Sequence, residues 1–96
     1  MSELILDGEQ TIYQVRDTYL QLKSIMNESK GLSLSLPQIQ ECDCAFVQLL
    51  LWVKQEAERQ QQPLHFLQPP AALVELVSLL GLSDVLFAPN QEMLNG

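Results

Sequence analysis

The sequence predicts a small α/β domain, a largely parallel sheet of four strands with helices packed against it. Three observations carry that expectation. Short apolar or alternating runs take turns with longer runs of helical period. They come in the order strand, helix, strand, helix, strand, helix and a short terminal element, an alternation that implies parallel pairing through right-handed crossovers. At 96 residues, the chain suffices for one domain and not for two.

Leu4-Ile5-Leu6 is a short apolar run closed by Asp7-Gly8, and reads as a strand and a turn. A helix is expected from Thr11, whose hydroxyl is placed to cap the first turn, with Gln14 three residues on as in a capping box. Ile12, Val15, Tyr19, Leu22 and Met26 recur at helical spacing and define a buried stripe, and Lys30-Gly31 is a plausible stop. Leu32-Ser33-Leu34-Ser35-Leu36 alternates strictly, so the second strand has one apolar face and one small polar face. The serines imply a sheet face that apolar helices do not fully cover. Pro37 ends the pairing of this strand on one side, and a loop is expected from Gln38 to Cys42.

Asp43 is a good N-cap for a second helix reaching about Gln60. Phe46, Leu49, Leu50, Val53 and Ala57 centre its buried face, and Val47 and Leu51 widen it. Trp52 stands apart. At about 100° per residue it projects on the side shared by Gln48, Gln55 and Arg59. The polar stretch to Gln62 is a solvated helix end, broken by Pro63. Leu64 to Leu67 is the third strand and Gln68-Pro69-Pro70 a turn. Leu73, Leu76, Val77 and Leu80 form the stripe of a short helix capped by Gly81. Leu82 to Phe87 is read as a last strand or turn. Residues 1–87 are expected to be a single domain and 88–96 a flexible tail.

Composition narrows the function. With 47% hydrophobic residues the chain has material for a core. Five Lys and Arg against 12 Asp and Glu give a net charge of −7, which repels phosphate backbones and anionic lipid heads. Nucleic acid is therefore not an expected partner. No apolar run reaches the roughly 18–20 residues of a bilayer span, so direct membrane insertion is not expected. Met1-Ser2-Glu3-Leu4 lacks the basic start and apolar stretch of a secretory signal. Cys42 and Cys44 lie too close for a relaxed disulfide, which points to a reducing, cytoplasmic setting.

No catalytic set can be assembled. The single histidine, His65, lies in a strand, and nothing in the sequence brings it to either cysteine as a nucleophile's base. Cys42, Cys44 and His65 are too few and oddly spaced for a structural zinc. The glycines are isolated, so no phosphate-cradling loop exists. Glu56 and Glu58 read as a solvated helix face, and Asp43, paired with Glu41, is accounted for by capping. The expectation is a non-enzyme with no cofactor and no metal. Trp52 is left as either core-edge packing or a binding anchor, since aromatic residues are over-represented at interface centres.

The run Leu34-Ser35-Leu36-Pro37-Gln38-Ile39-Gln40-Glu41-Cys42-Asp43-Cys44-Ala45-Phe46-Val47-Gln48-Leu49-Leu50 resembles the central motif of STAS domains, shared by sulfate transporters and anti-sigma-factor antagonists. That motif is a strand, a short loop, an Asp followed by Ser or Thr, then a helix with an apolar face. Phe66 through Leu82, with its Leu-Gly-Leu, resembles the family's last helix and the segment after it, and the order of elements matches from Leu4 to Phe87. The resemblance implies a small mixed sheet with packed helices, no catalytic residues, and partner binding through the start of the helix after the motif. Asp43 falls on the motif's Asp and Cys44 on the serine whose phosphorylation commonly breaks the complex. Cys44 cannot accept phosphate from a serine kinase, and neither Asp43 nor Ala45 offers a hydroxyl. Phe46 stands where a glycine is frequent, and Ser35 where many members are acidic.

The leading expectation is a regulatory protein-interaction domain of the antagonist type, without the serine switch, contacting its partner through Asp43, Cys44, Gln48 and Trp52. Its partner would be an anti-sigma-type or histidine-kinase-like signalling protein. A second reading is a cytoplasmic accessory subunit of a lipid-transporting ABC complex, with the transporter ATPase as partner. A third is a thiol-based redox sensor, because a thiol at a helix N-terminus can have a lowered pKa at Cys44.

Overall fold

The computed structural model describes residues 2–28 and 30–87. The elements are β1 (Ser2–Gln10), α1 (Val15–Glu28), β2 (Leu32–Cys42), α2 (Cys44–Arg59), β3 (Leu64–Leu67), α3 (Ala71–Leu79) and α4 (Ser83–Leu86). Among the described residues the sheet has three strands, in the order β1-β2-β3, and both pairings are parallel. The tail expected at 88–96 lies outside the described residues.

Strand order that follows chain order, with right-handed crossovers, carries α1 and α2 over the same face of the sheet. The alternation of β2 fits this. Leu32, Leu34 and Leu36 are buried on the helix side, while Ser33 and Ser35 between them are only half-buried. Leu4, Leu34 and Phe66 are cross-strand neighbours in one row. Phe46, Leu50 and Val53 of α2 join the same core, each fully buried, with Leu22 and Met26 of α1 and Leu73 and Val77 of α3.

The fourth expected strand is absent, and the chemistry of Gly81 explains why. Gly81, at φ 72°, closes α3 with a pair of hydrogen bonds, Gly81 N–H to Ser78 C=O and Leu82 N–H to Val77 C=O. This Schellman closure turns the chain at once. The Leu82 carbonyl then accepts from Val85 and Leu86, so α4 starts with no extended residues between. Leu86 is buried in the core, and Phe87 sets its ring edge-on to Phe66 at 6.1 Å. Leu80, expected in the α3 stripe, is instead the C-cap residue and is exposed.

The first two strands are longer than the sequence suggested. Asp7-Gly8 does not end β1, because Gly8 takes φ 65° inside the strand. The expected loop from Gln38 to Cys42 is also strand. Between Ile5 and Asp7, and again between Gly8 and Glu9, β2 carries one residue more than β1. These bulges fall at Pro37 and Gln40, where an extra residue needs no ladder bond. Pairing of β2 with β3 stops at Ser35, two residues before Pro37, because β3 itself ends at Leu67.

Regular helix in α1 begins at Val15, later than expected. Residues 11–14 form a lead-in turn in which the Thr11 N–H and hydroxyl both donate to Gln14 Oε1, at 3.0 and 2.6 Å. Ile12 therefore lies outside the buried stripe and is 68% exposed. Thr18 takes a buried place instead, its hydroxyl donating to Gln10 Oε1 at 2.7 Å.

Candidate functional site

The start of α2 is built on Asp43. Its backbone is extended, and Oδ1 accepts from the N–H groups of Ala45 at 3.0 Å and Phe46 at 3.4 Å. These are orphan donors of a first helical turn, so the capping role read from the sequence is present. The other oxygen does something the sequence did not reveal. Oδ2 accepts from the N–H of Ile12 at 3.0 Å, across 31 residues of chain. One carboxylate thus caps α2 and ties the lead-in turn of α1 beside it.

That tether sets the surface around the site. Cys44 opens α2 and is exposed, and Gln48 lies one turn further on, also exposed. Trp52, one more turn along, packs at the edge of the core, one of the two places its sequence position allows. It is half-buried, its ring 4.8 Å from that of Tyr19 in an edge-to-face pair at 61°. The reason is α1, which packs beside α2 and offers Tyr19 on the flank that helix periodicity alone counts as outward.

Between the two helices runs a groove that the Tyr19–Trp52 pair divides. On one side is an apolar depression of about 460 Å³, walled by Ile12, Val15, Ala45, Leu49 and the two rings, with Gln48 and Arg16 on its rim. On the other is a polar one of about 280 Å³, bordered by Lys23, Asn27, Glu56, Arg59 and Gln60. Arg59 and Gln60 both donate to Glu56 Oε1, which lowers the Glu56 pKa and raises that of Arg59.

Of the four residues singled out from the sequence, Asp43, Cys44, Gln48 and Trp52 all lie along this start of α2. Sequence reasoning missed Ile12 and Tyr13, 68% and 87% exposed on the tethered turn. The capping-box signal at Thr11 marked their position but drew them into a regular helix. The candidate thiols and the histidine do not converge. Cys42 faces the helix layer at the end of β2, where burial raises its pKa, helped by the charges of Asp43 and Glu41. His65 is level with Ser33, nine residues earlier on β2, roughly 25–30 Å away at about 3.3 Å per residue. Among the described residues no three His, Cys, Asp or Glu side chains gather as a metal ion would need. No helix among them is long and apolar enough to cross a membrane.

The family model described as "Mlab, STAS domain" matches residues 2–89. The chain belongs to the STAS domain family. The STAS fold is equally clear in two solved structures of the anti-sigma factor antagonist SpoIIAA. Its unphosphorylated form superposes with a TM-score of 0.66 at 15% identity, covering 80% of this chain and 72% of that one. The phosphorylated form, of the Bacillus cell fate determinant SpoIIAA, gives 0.68 at 17% identity, covering 97% and 86%. No curated protein sequence matches this STAS domain.

Proposed function

We propose that this STAS domain is a non-catalytic, cytoplasmic regulator that binds a protein partner through the start of α2 and the turn tied to it. One observation carries the reading. Asp43 joins the cap of α2 to Ile12, so Ile12, Tyr13, Cys44, Gln48 and Trp52 belong to one continuous surface with an apolar depression within it. A half-buried tryptophan beside exposed apolar and amide groups is the composition of an interface hot spot. The antagonist-like fold supports a signalling partner of the anti-sigma or kinase-like type. The family resemblance puts Cys44 at the phosphorylated serine, and a thiol takes no phosphate from a serine kinase, which supports binding without that switch.

Pull-down with Trp52→Ala and Gln48→Ala variants tests this surface. Loss of the partner in either supports it, and full retention in both rejects it. Membership of the STAS family also supports a second reading, an accessory subunit of a lipid-transporting ABC assembly. The same surface would then meet the transporter ATPase. Co-purification of an ATPase separates the two readings.

A further inference from the structure

Among the described residues no helix covers the second face of the sheet. All-parallel sheets are ordinarily buried on both faces, so this side calls for an occupant. Its side chains are placed by register and burial. Ile5, Ser35 and Leu67 are cross-strand neighbours across its middle, and Ile5 and Leu67 are 59% and 39% exposed. The serine between them is small, so the row is an apolar trough with a shallow centre.

The charges around the trough are of one sign. Every Lys and Arg of the chain lies on α1, on α2 or, as Lys30, between α1 and β2. Each of those helices is balanced, Arg16 and Lys23 against Asp17 and Glu28 on α1, Lys54 and Arg59 against Glu56 and Glu58 on α2. The strands carry Glu3, Asp7, Glu9 and Glu41 and no Lys or Arg. All four are exposed, and Glu9 and Glu41 are direct cross-strand neighbours. Like charges so placed repel, and the fold keeps them without a Lys or Arg on its own strands.

We infer that this uncovered face docks a basic amphipathic helix of a protein partner, apolar stripe on the Ile5–Ser35–Leu67 row and Lys or Arg over the carboxylates. Charge complementarity selects that occupant. A second copy of the chain would bring the same carboxylates together. Anionic lipid or nucleic acid would meet the wrong sign. The face lies opposite the helix layer that holds the α2 surface, so the two sites are independent.

The test is a titration of the isotope-labelled full chain with a synthetic Lys/Leu amphipathic peptide of about 18 residues, roughly 27 Å of helix, matched to the length of β1. A scrambled peptide of the same composition, without a stripe, is run beside it. Amide shifts are expected along β1, β2 and β3 on the open face. A Glu9→Lys/Glu41→Lys variant should weaken binding about tenfold or more, and the scrambled peptide should bind several-fold more weakly. Shifts centred on α2, equal binding by the scrambled peptide, or affinity unchanged by the charge reversal would each overturn the proposal. So would binding to phosphatidylglycerol vesicles in preference to the peptide. Failure here leaves the Trp52 and Gln48 pull-down unaffected.

Discussion

The two faces of β2 are built to opposite rules. On one, Leu32, Leu34 and Leu36 are sealed beneath α1 and α2, whose own charges cancel. On the other, Ser33 and Ser35 lie among carboxylates that no Lys or Arg on the strands balances. The same strand thus supplies stability on one side and, among the described residues, a surface without a covering helix on the other. Charges balance within α1 and within α2, and Ile12 and Tyr13 are exposed where Asp43 holds a turn against α2. The strands carry four exposed carboxylates without a Lys or Arg, with Ile5 and Leu67 exposed beside them.

The largest expected effect tests the difference between the faces directly. Leu34→Ala should cost about 3–4 kcal/mol in chemical denaturation, from lost burial and the cavity left behind. Ser35→Ala, one residue away, should stay within about 0.5 kcal/mol. Similar costs at both positions would mean that the faces are not distinct.

Asp43 gives the next largest. Asp43→Ala removes the cap of α2 and should cost about 1–2 kcal/mol. Asp43→Asn has one acceptor oxygen in place of two, so it can keep the cap and release the Ile12 N–H. Hydrogen exchange at Ile12 should then quicken in both variants, while only the alanine variant loses much stability. Unchanged protection at Ile12 would remove the tether from the account.

The smallest expected effect lies on the acidic face. Glu41→Gln relieves the repulsion with Glu9 and should stabilise by a few tenths of a kcal/mol at low salt. The gain should vanish near 1 M salt, where charges are screened within about 3 Å. A loss of stability instead would show that Glu41 has a favourable partner.

Much of this was legible in the sequence. Strict alternation in residues 32–36 separated a buried face from an open one, and the residue type at Asp43 announced a cap. Both are local signals with a single physical meaning. The bulges at Pro37 and Gln40 were not legible, because Pro ends a ladder in most settings and only the partner strand shows that it is bypassed. The place of Trp52 stayed open for a related reason. Helix period assigns an angle, and whether that angle meets solvent depends on where the neighbouring helix lies. The second bond of Asp43 joins residues 31 apart and leaves no periodic trace. The fourth strand failed on a few residues between Gly81 and Phe87, too short for pattern to separate strand from helix.

The central claim is that the surface at the start of α2 binds a protein. It is tested most directly by quantitative affinity purification from the source cell, with the wild-type chain and a Tyr13→Ala/Gln48→Ala variant side by side. Both side chains are exposed, so the variant should fold as the wild type does by circular dichroism. The account predicts a stoichiometric protein partner with the wild type and about tenfold less of it with the variant, as expected when hot-spot residues are truncated. Equal recovery of the same partner by both would contradict it.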